Sequence, residues 1–184
     1  KPSLLLHSCC GPCSTAVIER LAGDYQITIF FYNPCITDQE EYQKRKETQI
    51  EFINKYNSSL PPKEHIRFRE GPYDTKKFYR IAEGLENEPE GGKRCLRCFE
   101  QRLEKTAETC ALTGCDYFGT TLSVSPHKNY DLIRRIGRKL AVGYNVSFVD
   151  EDFKKKEGFK RSVELSKAYG LYRQNYCGCQ YSKR

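Results

Sequence analysis

Long apolar runs are missing from this 184-residue chain. The longest, Leu4-Leu5-Leu6 and residues 27–32, fall far short of the roughly 20 residues that a membrane-crossing helix needs. Phosphate-binding glycine loops are missing as well. Neither G-x-x-x-x-G-K-[ST] nor G-x-G-x-x-G occurs, and no serine- and glycine-rich loop follows the first strand-like run, so ATP or NAD chemistry is not expected. No secretory leader is visible, because Lys1-Pro2-Ser3 runs straight into that strand-like segment. A cytoplasmic location is the resulting expectation. There is no internal repeat, no low-complexity segment and no tryptophan.

What is present suits one globular domain with a real core: 38% hydrophobic and 30% charged residues. The net charge of +7 favours a polyanionic partner, although many basic proteins bind none. The ten cysteines are the main anomaly. They cluster as Cys9, Cys10 and Cys13, as Cys95 and Cys98, and as Cys177 and Cys179, with Cys35, Cys110 and Cys115 scattered. Tight clusters separated by long helical stretches point to metal or redox sites in a reducing compartment rather than to a disulfide framework.

Strand-like and helical segments alternate. Strands are expected at 4–7, 26–32, 65–68, 116–121 and 146–149. Helices are expected at 16–22 behind an N-cap at Ser14, and at 38–56, 75–85, 95–112, 129–143 and 158–169. This is α/β: a Rossmann-like parallel sheet of about five strands with helices on both faces. The chain 1–184 reads as a single α/β domain with a cysteine-containing C-terminal tail, 171–184. Ligands of such sheets sit beyond the carboxyl ends of the strands, so residues 9–13, 33–37, 120–128 and 150–156 share one rim.

Cys95-x-x-Cys98 opens a helix, where the dipole favours thiolates that can hold a metal or one face of a cluster. Cys9 and Cys10 are adjacent, and neighbouring side chains diverge. That suits the corners of a cubane better than one tetrahedral zinc. Cys9, Cys10, Cys95 and Cys98 together offer the four thiolates of a [4Fe-4S] cluster, with structural zinc as the competing metal. Cys10-Gly11-Pro12-Cys13 copies a thioredoxin active-site string, but the flanking tryptophan is absent, Cys9 is an extra thiol and the other clusters would have no role. Cys177-Gly178-Cys179 would close a small, strained ring, a poor staple and a plausible redox pair. A metal-ligand role stays open for it. Cys35, Cys110 and Cys115 read as ordinary semi-buried thiols, with Cys35 on the rim.

Arg134, Arg135, Arg138 and Lys139 form one basic cluster; Lys154 to Lys156, Lys160 and Arg161 form another. Such charges usually line a solvated helix face. Tyr172, Arg173, Tyr176 and Tyr181 interleave rings and cations, a pattern that suits stacking on unpaired bases and equally a tail packed on the domain.

Several strings, in order over nearly the whole chain, resemble the cobalamin-independent epoxyqueuosine reductases. They are residues 5–13 (Leu-Leu-His-Ser-Cys-Cys-Gly-Pro-Cys), Phe31-Tyr32-Asn33-Pro34, Glu41-Tyr42-x-x-Arg45, Arg94-Cys95-x-x-Cys98 with Arg102-Leu103, Thr120-Thr121-Leu122-x-x-Ser125-Pro126-x-Lys128, Asp152-Phe153-Lys154-Lys155 through Gly158-Phe159 and Ser162, and Leu171-Tyr172-Arg173-Gln174-x-Tyr176-Cys177-Gly178-Cys179. Cys35 departs from the pattern, which carries a polar residue such as asparagine there. The resemblance implies an adenine-nucleotide-hydrolase-like (HUP) architecture without ATP chemistry. It implies reduction of epoxyqueuosine to queuosine at the wobble position of tRNA, a [4Fe-4S] cluster on Cys9, Cys10, Cys95 and Cys98, and a redox-active Cys177–Cys179 pair. The expected partners are tRNA carrying epoxyqueuosine and an unidentified electron donor. A second iron near the cluster would draw on Cys13 and a rim carboxylate, Asp150 or Asp152. Thr120, Thr121, Ser125, Lys128 and Arg173 are the expected substrate or phosphate contacts. The competing functions are a thiol–disulfide oxidoreductase using Cys10 and Cys13, and a zinc-stabilised RNA-binding module.

Overall fold

The computed structural model describes residues 1–183; the last residue of the expected tail, Arg184, lies outside the described residues. Five strands form one sheet: β1 (Ser3–His7), β2 (Gln26–Phe31), β3 (Arg67–Glu70), β4 (Tyr117–Thr120) and β5 (Ser147–Phe148). Their spatial order is β3-β2-β1-β4-β5, and every pairing is parallel. The expected α/β sheet is therefore present. The near-continuous apolar reading of β1 and β2 follows from burial on both faces. Leu4 and Leu6 enter one core layer with Ile27 and Ile29. Leu5 enters the opposite layer with Phe30 and Phe118.

The helices are α1 (Gly11–Leu21), α2 (Gln39–Asn57), α3 (Thr75–Ala82), α4 (Lys93–Thr113), α5 (Tyr130–Tyr144) and α6 (Gly158–Ala168). Helix α1 packs against α2 and α6, and α4 packs against α5. Small buried residues of α6, Gly158, Ser162 and Ser166, allow its close approach to α1. The order of strands reverses on the two sides of β1, so the loops after β1 and β4 flank the switch point where ligands of such sheets bind.

Several boundaries differ from the sequence expectation, three of them with a local cause. Helix α1 begins at Gly11, with Cys10 in the N-cap position and Pro12 in the first turn. Ser14 does not cap it; its hydroxyl turns back to the Gly11 carbonyl at 2.7 Å. Proline suits a first helical turn, and Gly11 suits the crowding, since a Cβ there would lie 3.2 Å from the Thr48 carbonyl oxygen. Strand β3 is displaced toward the C-terminus because residues 62–64 form a 3-10 turn and the Asn57 side chain brackets Ile66 by two hydrogen bonds. Helix α3 stops at Ala82, just before Gly84 turns left-handed at φ +80°.

Candidate metal and redox site

His7 ends β1 and ties together the carboxyl ends of three strands. Its Nδ1 meets Thr120 Oγ1 at 3.0 Å, and its Nε2 meets the Tyr32 carbonyl at 3.1 Å and Asn33 Oδ1 at 3.2 Å. Two oxygens facing Nε2 place the ring proton there. Burial, with the nearby Arg102 charge, pushes its pKa down to about 4, so this histidine is a neutral strut at neutral pH. A second buried network, Ser8 Oγ to Gln49 Oε1 at 2.6 Å and Gln49 Nε2 to Ser14 Oγ at 3.0 Å, fixes the turn that leads into α1.

That turn presents Cys9, Cys10 and Cys13, whose sulfurs all lie within 4.8 Å of one another, a group able to hold a metal ion. Hydrogen bonds from Cys13 and Cys9, with the Arg45 charge nearby, hold the Cys10 thiol well below the usual thiol range. Cys13, donating to Cys10 and Cys9, is held well above it. Cys95 belongs with Phe99 and Leu122 to an apolar cluster against which Cys9 packs. One turn on, Cys98 is hydrogen-bonded to Cys35, which lowers the Cys35 pKa to about 6 with help from Arg102. Cys179 joins this second group. Eight free cysteines are present among the described residues, and all of them converge on this rim.

Cations are buried with them. Arg45 and Arg102 are each 1% exposed and Lys128 is 9% exposed. Arg102 Nε reaches the Cys98 carbonyl at 3.4 Å, but Nη1 and Nη2 have no hydrogen-bond partner. The charges acting on it are chiefly those of Cys35, Cys98, Cys177 and Cys9. A buried guanidinium without a carboxylate is costly unless something anionic faces it. A metal–thiolate group is anionic, so the donor set and the orphaned guanidinium fit such a group together. Lys128 Nζ donates to Cys177 Sγ at 2.8 Å. Burial works against its ammonium form, and the Cys177 sulfur more than offsets that, leaving the lysine pKa raised.

Two cavities meet here. The larger, about 200 Å³, has Cys9, Cys13, Ser125, His127 and Arg173 in its wall. The smaller, about 10 Å³, is walled by Cys35, Cys95, Cys98, Arg102 and Cys179. Lys128 and Cys177 line both.

Over residues 4–184 the chain matches the family described as Epoxyqueuosine reductase QueH. The chain belongs to that family. Epoxyqueuosine reductase QueH of Staphylococcus epidermidis is 42% identical over 184 residues, covering 99% of this chain and 76% of the relative. The Streptococcus pyogenes protein of the same name is 40% identical, covering all of this chain and 71% of the relative. In fold, the chain resembles the crystal structure of the predicted subunit of a tRNA methyltransferase from Methanocaldococcus jannaschii. The TM-score is 0.56 at 15% identity, covering 89% of this chain and 74% of that one. At that identity the likeness concerns the fold alone.

Within this reductase-family chain, Cys9, Cys10, Cys13, Cys95, Cys98, Cys177 and Cys179 come together as the sequence suggests, and Ser125, Lys128 and Arg173 line the large cavity. Other expected residues go elsewhere. Thr120 is engaged by His7 and by the Leu122 amide at 3.1 Å, and Thr121 is fully buried. Neither lines the cavity. Asp150 is bound by Tyr130 and Arg138. Asp152 accepts from the Lys154 amide at 3.0 Å and pairs with Lys154 Nζ at 3.6 Å. Both carboxylates thus have partners in their own loop or on α5. The rings of Tyr172 and Tyr181 lie under Lys44 and Arg94, so they pack the tail onto the domain. Sequence reasoning gave no local role to Arg102, Gln174 or Cys35. Arg102 lies four residues after Cys98, the spacing that puts two residues on one helix face, and that signal was available. Gln174 Nε2 donates to Cys10 Sγ at 2.9 Å, a contact between chain ends.

Cys110 and Cys115 are not ordinary thiols: they form a disulfide. Cys110 is near the end of α4 and Cys115 just precedes β4, where Gly114 reverses the chain. Twelve residues of helix separate Cys110 from Cys98, about 18 Å at 1.5 Å per residue. Serine at Cys110 or Cys115 is therefore expected to leave metal content unchanged. Opening so small a loop should cost about 2 kcal/mol of stability, read by urea unfolding without reductant.

Proposed function

We propose that the chain reduces the epoxide of epoxyqueuosine to the alkene of queuosine in tRNA, using a [4Fe-4S] cluster held by Cys9, Cys10, Cys95 and Cys98. The observation that carries the reading is the gathering of eight free thiols with the buried Arg45, Arg102 and Lys128 at the switch point of the sheet. Family membership supports the reaction, and the polyanionic substrate agrees with the +7 charge. No helix among the described residues is long and apolar enough to cross a membrane, and action on tRNA suits the cytoplasm.

Converting an epoxide to an alkene takes up two electrons and two protons and releases water. The cluster, when bound, would supply single electrons from a donor outside the chain to restore the tail dithiol after each turnover. The chain's own residues handle the rest. Cys177 and Cys179, passing from dithiol to disulfide, release two electrons and two protons, which balances the reaction. Lys128 Nζ donates to Cys177 Sγ at 2.8 Å and fixes that thiol in place. Its ammonium borders the large cavity, where it can hand a proton to the departing oxygen. Ser125, His127 and Arg173 offer donors to substrate hydroxyls or phosphate. Cys13 is the thiol that a second iron would draw on, with Asp152 as the rim carboxylate, its Oδ1 facing Lys154.

Anaerobic isolation tests the reading. A brown protein with about four irons and four sulfides per chain, converting epoxyqueuosine in tRNA to queuosine, is the expected result. A colourless zinc protein, or one whose only activity is dithiol exchange, would replace it with one of the two competing functions.

The tRNA surface is narrower than the sequence suggests. Arg134 and Arg138 are paired with Asp150, and Arg161 with Glu19 and Glu164. Among the described residues Lys155, Lys156 and Lys160 form no ion pair with a carboxylate. Lys155→Glu or Lys160→Glu should weaken tRNA binding and reduce the salt slope of log Kd by about one unit per lost phosphate contact. Filter binding across a salt series reads both.

A further inference from the structure

The motif Glu41-Tyr42-x-x-Arg45 enters the chemistry above only through the Arg45 charge, yet Arg45 is almost wholly buried and its hydrogen bonds go elsewhere. Its Nη1 donates to the Cys177 carbonyl at 2.8 Å and its Nη2 to the Tyr176 carbonyl at 2.9 Å. Its Nε is held by Glu41 at 2.7 Å. Glu41 also accepts from the Tyr172 hydroxyl at 2.9 Å, and Lys44 Nζ covers the Tyr172 ring at 3.8 Å. One face of α2 therefore grips the tail at 172, 176 and 177. Gly178 completes the fit: its φ is +130°, and a Cβ there would lie 3.0 Å from Arg45 Nη1 and 2.9 Å from Ile36 Cγ1.

We infer that Arg45 is a positioning residue for the Cys177–Cys179 pair: its planar fork clamps two successive tail carbonyls, sets Cys177 Sγ against Lys128 and keeps Cys179 inside. The alternative use of this guanidinium is as a bare charge near Cys10. The two differ in what lysine can replace. Lysine keeps the charge but cannot span two carbonyls in a fixed plane. The catalytic part of the inference rests on the redox role assigned to Cys177 and Cys179; the clamp itself does not.

Arg45→Lys in the full-length, cluster-loaded protein tests it. Alkylation of Cys177, followed by mass spectrometry, should speed up about tenfold as the tail opens more often. Turnover should fall about 30-fold with KM for tRNA within about twofold, while cluster absorbance stays normal. Gly178→Ala attacks the same contact from the tail and leaves α2 untouched. It should give the same two changes, and the double variant should fall short of the product of the single effects. Unchanged Cys177 alkylation in both single variants would overturn the clamp. Normal turnover in Arg45→Lys would show that the charge near Cys10 is what matters, and cluster loss in Arg45→Lys with Gly178→Ala behaving as wild type would show that the guanidinium supports the thiol cluster and not the tail; either result would overturn the inference. Normal turnover of a Cys177/Cys179 double serine variant would remove the redox reading, while faster alkylation in Arg45→Lys would still establish the clamp.

Discussion

Serine at Cys10 is expected to strip the protein of the iron that the proposed cluster would hold. Cys10 sits in the N-cap position of α1, so the first-turn amides and the helix dipole favour its anionic form. Cys9 and Cys13 crowd its sulfur, Arg45 adds charge and Gln174 donates to it at 2.9 Å. No other thiol of the site is held by so many groups at once. A serine alkoxide is a far poorer ligand for iron than a thiolate, and even loss of a residue that merely supports a ligand costs 10- to 100-fold in metal affinity. Loss of the ligand itself should weaken retention by at least about 100-fold. Serine at Cys9, Cys95 or Cys98 should likewise remove most iron–sulfur absorbance, because Cys95 belongs to the apolar cluster against which Cys9 packs and Cys98 lies on the same helix turn. Cys13→Ser is the discriminating variant. Its sulfur is the third member of the trio, so a colourless Cys13→Ser protein combined with a brown Cys98→Ser protein would replace Cys98 by Cys13 in the ligand set. Iron and acid-labile sulfide, measured anaerobically beside the absorbance, read both.

The sheet was legible because its inner strands are short apolar runs punctuated by turns and its helices carry a clear 3.6-residue period. Helix starts at 38 and 129 were legible as bounds, and the structure makes both residues caps: Asp38 accepts from the Glu40 and Glu41 amides, and Asn129 from the Leu132 amide. The start of α1 was not, since serine is a better N-cap than cysteine by propensity. Here the Cys10 position follows from packing of Gly11 on α2, which no local rule contains. The site divides the same way. Cysteine spacing marked the thiols, and the loop positions marked Ser125 and Lys128. The cations that make buried thiolates tolerable were hidden because they come from α2 and α4, tens of residues from their partners. The disulfide between Cys110 and Cys115 was hidden for a related reason, as it depends on how α4 turns into β4 beside β1.

The tail marks the sharpest difference between sequence and structure, and it carries the second large effect. A polar C-terminal segment reads as flexible, yet Cys179 is buried at 6% exposure and Cys177 is fixed by Lys128. Both thiols stand at the small cavity with Cys95, Cys98 and Arg102, beside two of the thiols proposed to hold the cluster. Only Cys177 also reaches the large cavity. Replacing both by serine should lower turnover of epoxyqueuosine tRNA by at least about 1,000-fold, equivalent to about 4 kcal/mol of activation free energy. Cluster absorbance should remain, and tRNA affinity should stay within about twofold. The single variants should differ. Cys177→Ser removes the thiol that lines the large cavity and the sulfur that Lys128 contacts, so it should be as inactive as the double variant. Cys179→Ser keeps Cys177 beside Lys128 but removes the second thiol of the disulfide, so the two electrons can be released only if an external thiol takes its place. No product in a single turnover without added thiol, and slow turnover that rises with added thiol, is the expected trace. Thiol trapping closes the test: a Cys177–Cys179 disulfide must accumulate in the wild-type protein after one turnover without donor, and its absence under those conditions would leave the two thiols as metal ligands instead.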